Sequence, residues 1–202
     1  MKINNFNASI GHAFIIAEIG NNHNGSYDLA IEMIDEAILA GANCVKFQMR
    51  TLDELYRKRS INGSGEDLGT EYVVDLLKRF ELSKEEHKKL LEHCTKKDIT
   101  YLCTPWDQSS LIFLESLSVP AYKVASADLT NIPLIELLIQ TKKPLILSTG
   151  MSTSDEIKFT ARILDAAEAE YVFLHCNSTY PAPVEDINLS WIHELKKIHS
   201  DV

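Results

Sequence analysis

The sequence predicts an α/β fold, a parallel (β/α)8 barrel of which about six strand–helix units are present in this chain. Three observations predict it. Short apolar runs alternate strictly with amphipathic stretches, and such alternation builds a parallel sheet. Polar residues follow every apolar run instead of gathering at one crevice, as they do at the mouth of a barrel. The first apolar run lacks the GxGxxG turn of a dinucleotide-binding sheet. An open doubly wound sheet also fits six units, but polar residues at each strand tip favour the barrel. A barrel has eight strands, so residues 1–202 read as the N-terminal part of one barrel domain.

The elements follow in order. A polar lead-in, residues 1–12, precedes a first strand expected at 13–17. Glu18 follows, then the polar turn Asn21-Asn22-His23-Asn24-Gly25. Ser26 is placed to cap a helix over 27–40, whose apolar positions recur every four residues and which Gly41 ends. The second strand is 44–48, with Lys46 and Gln48 on one face. A long glycine-bearing loop, 51–70, reads as a lid or binding loop. Residues 71–80 read as helix, and Ser83-Lys84-Glu85-Glu86 is a capping-box pattern opening a helix to about Lys97.

The third strand, 99–103, ends in Thr104-Pro105-Trp106, and a helix follows over 108–117. The fourth, 121–125, ends in Ser126-Ala127-Asp128, before a helix with Pro133 in its first turn. The fifth, 144–147, ends in Ser148-Thr149-Gly150, and Thr153 or Ser154 caps a helix to about Ala167. The sixth, 171–174, ends in the segment His175 to Pro181, and Ser190 is expected to cap a last helix through Ile198.

Composition narrows the function. At 45% hydrophobic and 24% charged, the 202 residues suit a single globular domain. A net charge of −9 argues against nucleic acid or a membrane surface as partner, but not against a small anion held by local cations. The N-terminus is polar and no apolar run approaches a membrane span, so a cytoplasmic protein is expected. Cys44, Cys94, Cys103 and Cys176 form no CxxC pair, and Cys44, Cys103 and Cys176 read as small buried side chains.

In a barrel the strand tips share one mouth. They carry Glu18; Lys46 and Gln48; Thr104; Lys123, Ser126 and Asp128; Ser148; and Ser178 with Tyr180. Two lysines and several hydroxyls suit a phosphorylated, carboxylated small molecule, and Glu18 suits a proton transfer. Each residue also has a plainer role. The lysines can snorkel to solvent, Glu18 can pair with one of them, and Asp128 can cap the next helix. His23 and His175 have no metal-ligand spacing and read as hydrogen-bonded histidines; Trp106 reads as packing. These residues alone do not fix a reaction.

Six blocks together resemble the sialic acid synthase family, which includes the legionaminic, pseudaminic and spore-coat polysaccharide synthases. They are FIIAEIGNNHNGS (14–26), AGANCVKFQ (40–48), CTPWD (103–107), PAYKVASADLTNIPLI (120–135), KPLILSTGMST (143–153) and LHCNSTYPAPVEDINL (174–189). The resemblance implies a (β/α)8 barrel followed by a small antifreeze-like domain, expected to be missing from residues 1–202. It implies condensation of phosphoenolpyruvate with an N-acetylated amino sugar, such as N-acetylmannosamine, to a nine-carbon 2-keto acid and phosphate. By matching motif, Glu18 is the expected catalytic residue. Lys46, Thr104, Lys123, Ser126, Ser148 and Ser178 are expected to bind phosphoenolpyruvate, and Gln48, Tyr180 and Asp128 the sugar. A divalent metal, Mn2+ or Mg2+, is implied with ligands beyond residue 202, as is a homodimer of the full-length protein. The family's sugar-binding asparagine has no clear match near Glu66-Asp67-Leu68-Gly69. A chain ending at Val202 is therefore expected to be inactive alone. Two other readings stay open: a class I aldolase with Lys46 or Lys123 as Schiff base, and a non-catalytic sugar-phosphate-binding partial barrel.

Overall fold

The computed structural model describes residues 1–4, 6–7, 13–56 and 68–202. A short hairpin, β1 (Lys2–Ile3) and β2 (Phe6–Asn7), opens the chain. Then come β3 (Ile16–Gly20), α1 (Tyr27–Leu39), β4 (Cys44–Met49), α2 (Leu52–Leu55), α3 (Leu68–Phe80), α4 (Lys84–Lys96), β5 (Thr100–Pro105) and α5 (Gln108–Ser116). The chain continues with β6 (Tyr122–Val124), α6 (Ile132–Gln140), β7 (Leu145–Ser148), α7 (Ser154–Ala166), β8 (Tyr171–Leu174) and α8 (Trp191–Ile198). It divides into two compact units, Phe14–Ser118, and Met1–Ala13 with Val119–Val202. No helix among the described residues is long and apolar enough to cross a membrane.

In the unit Phe14–Ser118, β3, β4 and β5 form a parallel sheet with β4 at its centre. Parallel strands covered by helices read as continuous apolar runs, and β4 is buried along nearly its whole length. The helices pack by the spacing their sequences announce: Ala30, Ile34 and Ala37 of α1, and His87, Leu90 and Cys94 of α4, are buried. Phe47 points away from the Lys46 face and stacks on Tyr101 at 5.5 Å. Ser83 and Glu86 form the expected capping box. Asp107, which the pattern alone does not single out, caps α5 by accepting from Ser110 N at 2.7 Å.

The first strand lies at 16–20, not at 13–17. Hydrophobicity marked the run, but pairing with β4 decides the register: Ile16 lies opposite Cys44 and Glu18 opposite Lys46. Glu18 is therefore inside the strand. β5 likewise extends through Thr104 and Pro105. In the expected loop 51–70, residues 52–55 form a helical turn and Leu68 already opens α3; residues 57–67 lie outside the described residues.

In the second unit, β6, β7 and β8 form another parallel sheet. Leu134, Ile135 and Leu138 of α6 and Ile157, Ala161 and Leu164 of α7 are buried. Thr160 enters this core by donating to the Leu129 carbonyl at 2.8 Å. Thr153, not Ser154, caps α7 through a capping box with Glu156. Ser190 precedes α8 but does not cap it; its hydroxyl bonds to Asn188 Oδ1. At the start of the chain the Lys2 amide donates to Glu170 Oε1 at 3.1 Å.

Candidate functional site

Each unit gathers polar side chains around one buried lysine at the C-terminal ends of its strands. In the unit Phe14–Ser118, the Lys46 ammonium lies 2.7 Å from Glu18 Oε2 and donates to Thr104 Oγ1 at 3.1 Å. Strand register produces this set: Glu18 is opposite Lys46, and Gln48 is opposite Thr104. The lysine side chain is 6% exposed and the glutamate 52%, so the pair has one buried and one wet end. A buried ammonium must be paired and hydrogen-bonded, and Lys46 is both. The expectation that it snorkels to solvent fails.

Gly20 keeps the carboxylate and amide close. Its φ of +55° follows a register shift in β3, and a Cβ there would stand 3.3 Å from Glu18 Oε1 and 3.4 Å from Gln48 Nε2. Arg50, one residue beyond β4, donates from Nη2 to Gln48 Oε1. His23 is buried and accepts from the Gly25 amide at Nδ1; burial lowers its pKa. It behaves as the loop histidine expected of it. Trp106 packs under Arg50, with the guanidinium 4.9 Å from the ring centre.

In the second unit, Lys123 is buried and donates to the Val124 carbonyl at 2.6 Å and to Ser148 Oγ. Cys176 Sγ donates to the same Ser148 oxygen at 3.3 Å; it is half-buried, not fully buried as its strand-end position suggested. The Gly150 amide donates to Ser126 Oγ at 3.2 Å. Gly150 also lets Ser178 in: a Cβ there would lie 2.8 Å from Ser178 Oγ and 2.9 Å from the Cys176 carbonyl. Lys123, Ser126, Ser148 and Ser178 are thus brought together around Gly150 and Cys176.

Among the described residues, the Asp128 and Tyr180 side chains make no hydrogen bond to that cluster. Asp128 does not cap α6; its Oδ1 accepts from the Asn131 side chain at 3.1 Å, and Oδ2 is buried with no hydrogen-bond partner among the described residues. Burial raises its pKa, with Asn131 acting against the shift. Tyr180 is 91% exposed. His175 is half-buried.

Sequence reasoning missed Arg50, Gly20, Gly150 and Cys176. A signal existed for Arg50, because residues 46, 48 and 50 share one face of an extended strand. For a divalent metal, no group of three His, Cys, Asp or Glu side chains comes together among the described residues. Glu18, the carboxylate nearest the chemistry expected here, has its Oε2 committed to Lys46.

Residues 33–202 match the model of a family described as the NeuB family. The chain is 42% identical over 186 residues to an uncharacterized protein of Methanocaldococcus jannaschii, an alignment covering 92% of this chain and 52% of that one. It is 36% identical over 195 residues to an N,N'-diacetyllegionaminic acid synthase of Legionella pneumophila, covering 90% of this chain and 53% of the synthase. A solved structure of N-acetylneuraminic acid (sialic acid) synthetase from Leptospira borgpetersenii superposes with a TM-score of 0.84 at 36% identity, covering 93% of this chain and 62% of that one. The chain spans about half the length of the curated relatives it matches. With these neighbours the six parallel βα units are those of a (β/α)8 barrel, as their alternation predicted.

Proposed function

The chain belongs to the NeuB family, and we propose that it supplies the phosphoenolpyruvate-binding and proton-transferring residues of a sugar-acid synthase. The reaction joins phosphoenolpyruvate to the aldehyde of an N-acetylated amino sugar and yields a nine-carbon 2-keto acid and phosphate. The observation that carries this reading is Lys46, a buried ammonium held between Glu18 and Thr104 at the ends of three paired strands.

The residue types suit the chemistry. The enol π pair of phosphoenolpyruvate forms the new bond to the aldehyde carbon, and the aldehyde oxygen takes a proton. Positive charge develops at the carbon bearing phosphate, where water adds and loses a proton. The carbon–oxygen bond to phosphate then breaks. Lys46 with Thr104, and Lys123 with Ser126, Ser148 and Ser178, are assigned to the anionic groups of phosphoenolpyruvate, where fixed donors stabilise charge without reorganising. Glu18, half in solvent, is assigned the proton transfer. Gln48, Asp128 and Tyr180 are assigned to the sugar. A divalent metal, Mn2+ or Mg2+, belongs to the proposal with ligands outside residues 1–202, and no step here runs through it. A homodimer and a cytoplasmic location belong to the proposal as well.

Both lysines are engaged in hydrogen bonds to acceptors or carboxylate. That supports charge neutralisation over attack by a free amine. Calorimetric titration with phosphoenolpyruvate tests the reading. Binding that Lys46→Met and Lys123→Met each weaken, together with no borohydride-trapped adduct on either lysine, agrees with it. A trapped lysine adduct with a keto acid would replace it with the Schiff-base aldolase.

A further inference from the structure

The residue that stands out beyond the cluster around Lys46 is Arg50. Its guanidinium is half-buried, and burial lowers its pKa. A guanidinium nevertheless stays charged at neutral pH. No carboxylate among the described residues lies within ion-pair range of it. Asp107 and Glu81 act on it only from a distance. Asp107 is engaged elsewhere: Oδ2 accepts from the Thr51 amide at 2.5 Å and from Ser110 Oγ at 2.9 Å, and Oδ1 from the Ser110 amide. Of the five guanidinium donors, the described residues engage one, toward Gln48. A partly desolvated cation with spare donors is costly unless something anionic completes it.

Arg50 is also held in place. Its face lies on the Trp106 ring, and the Trp106 amide donates to the Met49 carbonyl at 3.0 Å, which continues the β4–β5 ladder to this point. The Thr51 amide fixes the next residue to Asp107, the cap of α5. Trp106 offers a second donor, since its indole Nε1 is buried with no hydrogen-bond partner among the described residues. Among the described residues, a buried N–H without an acceptor beside a guanidinium without a carboxylate marks a place for oxyanion acceptors.

The position along β4 says which part of a ligand that is. Lys46, Gln48 and Arg50 climb one face, with Lys46 deepest and Arg50 just past the strand end, about 13 Å of extended chain from first to last. Resting on the synthase reading, in which the aldehyde reacts near Glu18 and Lys46 and the sugar runs past Gln48, we propose that Arg50 binds an anionic group, phosphate or carboxylate, at the end of the acceptor sugar remote from its aldehyde. Arg50 is then the residue that selects a charged acceptor over a neutral one.

The test is direct binding of N-acetylmannosamine 6-phosphate, N-acetylmannosamine and inorganic phosphate to the protein from its full reading frame, without phosphoenolpyruvate. Failure of the synthase reading would show in a phosphoenolpyruvate titration and leave this assay unaffected. The phosphorylated sugar is expected to bind tightest, and Arg50→Gln to weaken it roughly 10- to 100-fold while changing the neutral sugar less than about threefold. Trp106→Phe keeps a ring beneath the guanidinium and is expected to weaken only the charged ligand. Equal affinity for the neutral and phosphorylated sugars, or an equal loss of both in Arg50→Gln, overturns the proposal. Inorganic phosphate binding as tightly as the phosphosugar would make this a free-phosphate site and overturn it too.

Discussion

Glu18 and Lys46 face each other across paired strands, with Glu18 Oε2 2.7 Å from the Lys46 ammonium. One partner is buried and the other half in water, so the pair is poised more for ligands than for stability. Lys46→Met should leave the fold intact, because Glu18 regains hydration. It should weaken phosphoenolpyruvate binding roughly 10- to 100-fold, measured by titration beside a thermal melt. A large loss of stability with unchanged affinity would make the pair structural.

Glu18→Gln removes the proton-transfer group and keeps the shape. Phosphoenolpyruvate affinity should stay within about threefold of wild type while turnover falls roughly 100- to 10,000-fold. Steady-state kinetics alongside calorimetry separates the two effects.

Much of this was legible before the structure. Apolar spacing placed α1, caps and turn residues placed most of the later helices, and the capping box at Ser83 was read to the residue, whereas the helical turn Leu52–Leu55 was read as loop. Register was not legible, because pairing fixes it: the first strand moved three residues toward the C-terminus and took Glu18 inside. The hairpin of Lys2–Ile3 with Phe6–Asn7 was missed, since two-residue strands carry no period. Lysines, hydroxyls and the carboxylate were nameable from strand ends. Arg50 was not singled out, because its meaning comes from the adjacent Trp106 ring and from the lack of a carboxylate partner among the described residues. Asp128 and Tyr180 were assigned to the sugar by motif, and their geometry leaves that role a proposal.

Gly150→Ala should act through space. The new methyl would meet Ser178 Oγ at 2.8 Å and the Cys176 carbonyl at 2.9 Å, and a backbone carbonyl cannot step aside cheaply. A loss of about 1 to 3 kcal/mol is expected in chemical denaturation.

Acid should unfold the protein through two histidines. Burial lowers His87 to about 4, and its Nδ1 is bonded to the Tyr101 hydroxyl at 2.7 Å. His23 is also lowered by burial, and nearby Glu86 opposes the shift on both rings. Between pH 6.5 and 4 the unfolded chain binds a proton on His87 that the folded chain does not, so stability falls as pH falls. His87 contributes about 3 kcal/mol to that slope. Denaturation midpoints across this range should show the slope in wild type and a shallower one in His87→Gln.

Two hydroxyls at equivalent positions should differ. Thr153→Ala removes a capping box and should cost about 1 kcal/mol, whereas Ser190→Ala should cost almost nothing, because the Ser190 hydroxyl bonds to the Asn188 side chain and not to a helix amide. Paired thermal melts read the contrast.

The most direct test of the central claim is phosphate release from phosphoenolpyruvate by the protein from its full reading frame, with manganese and a panel of N-acetylated amino sugars, neutral and phosphorylated. Release that requires the sugar and disappears in Lys46→Met is the result expected. No release with any acceptor, from a protein that folds and binds manganese, would contradict the synthase reading.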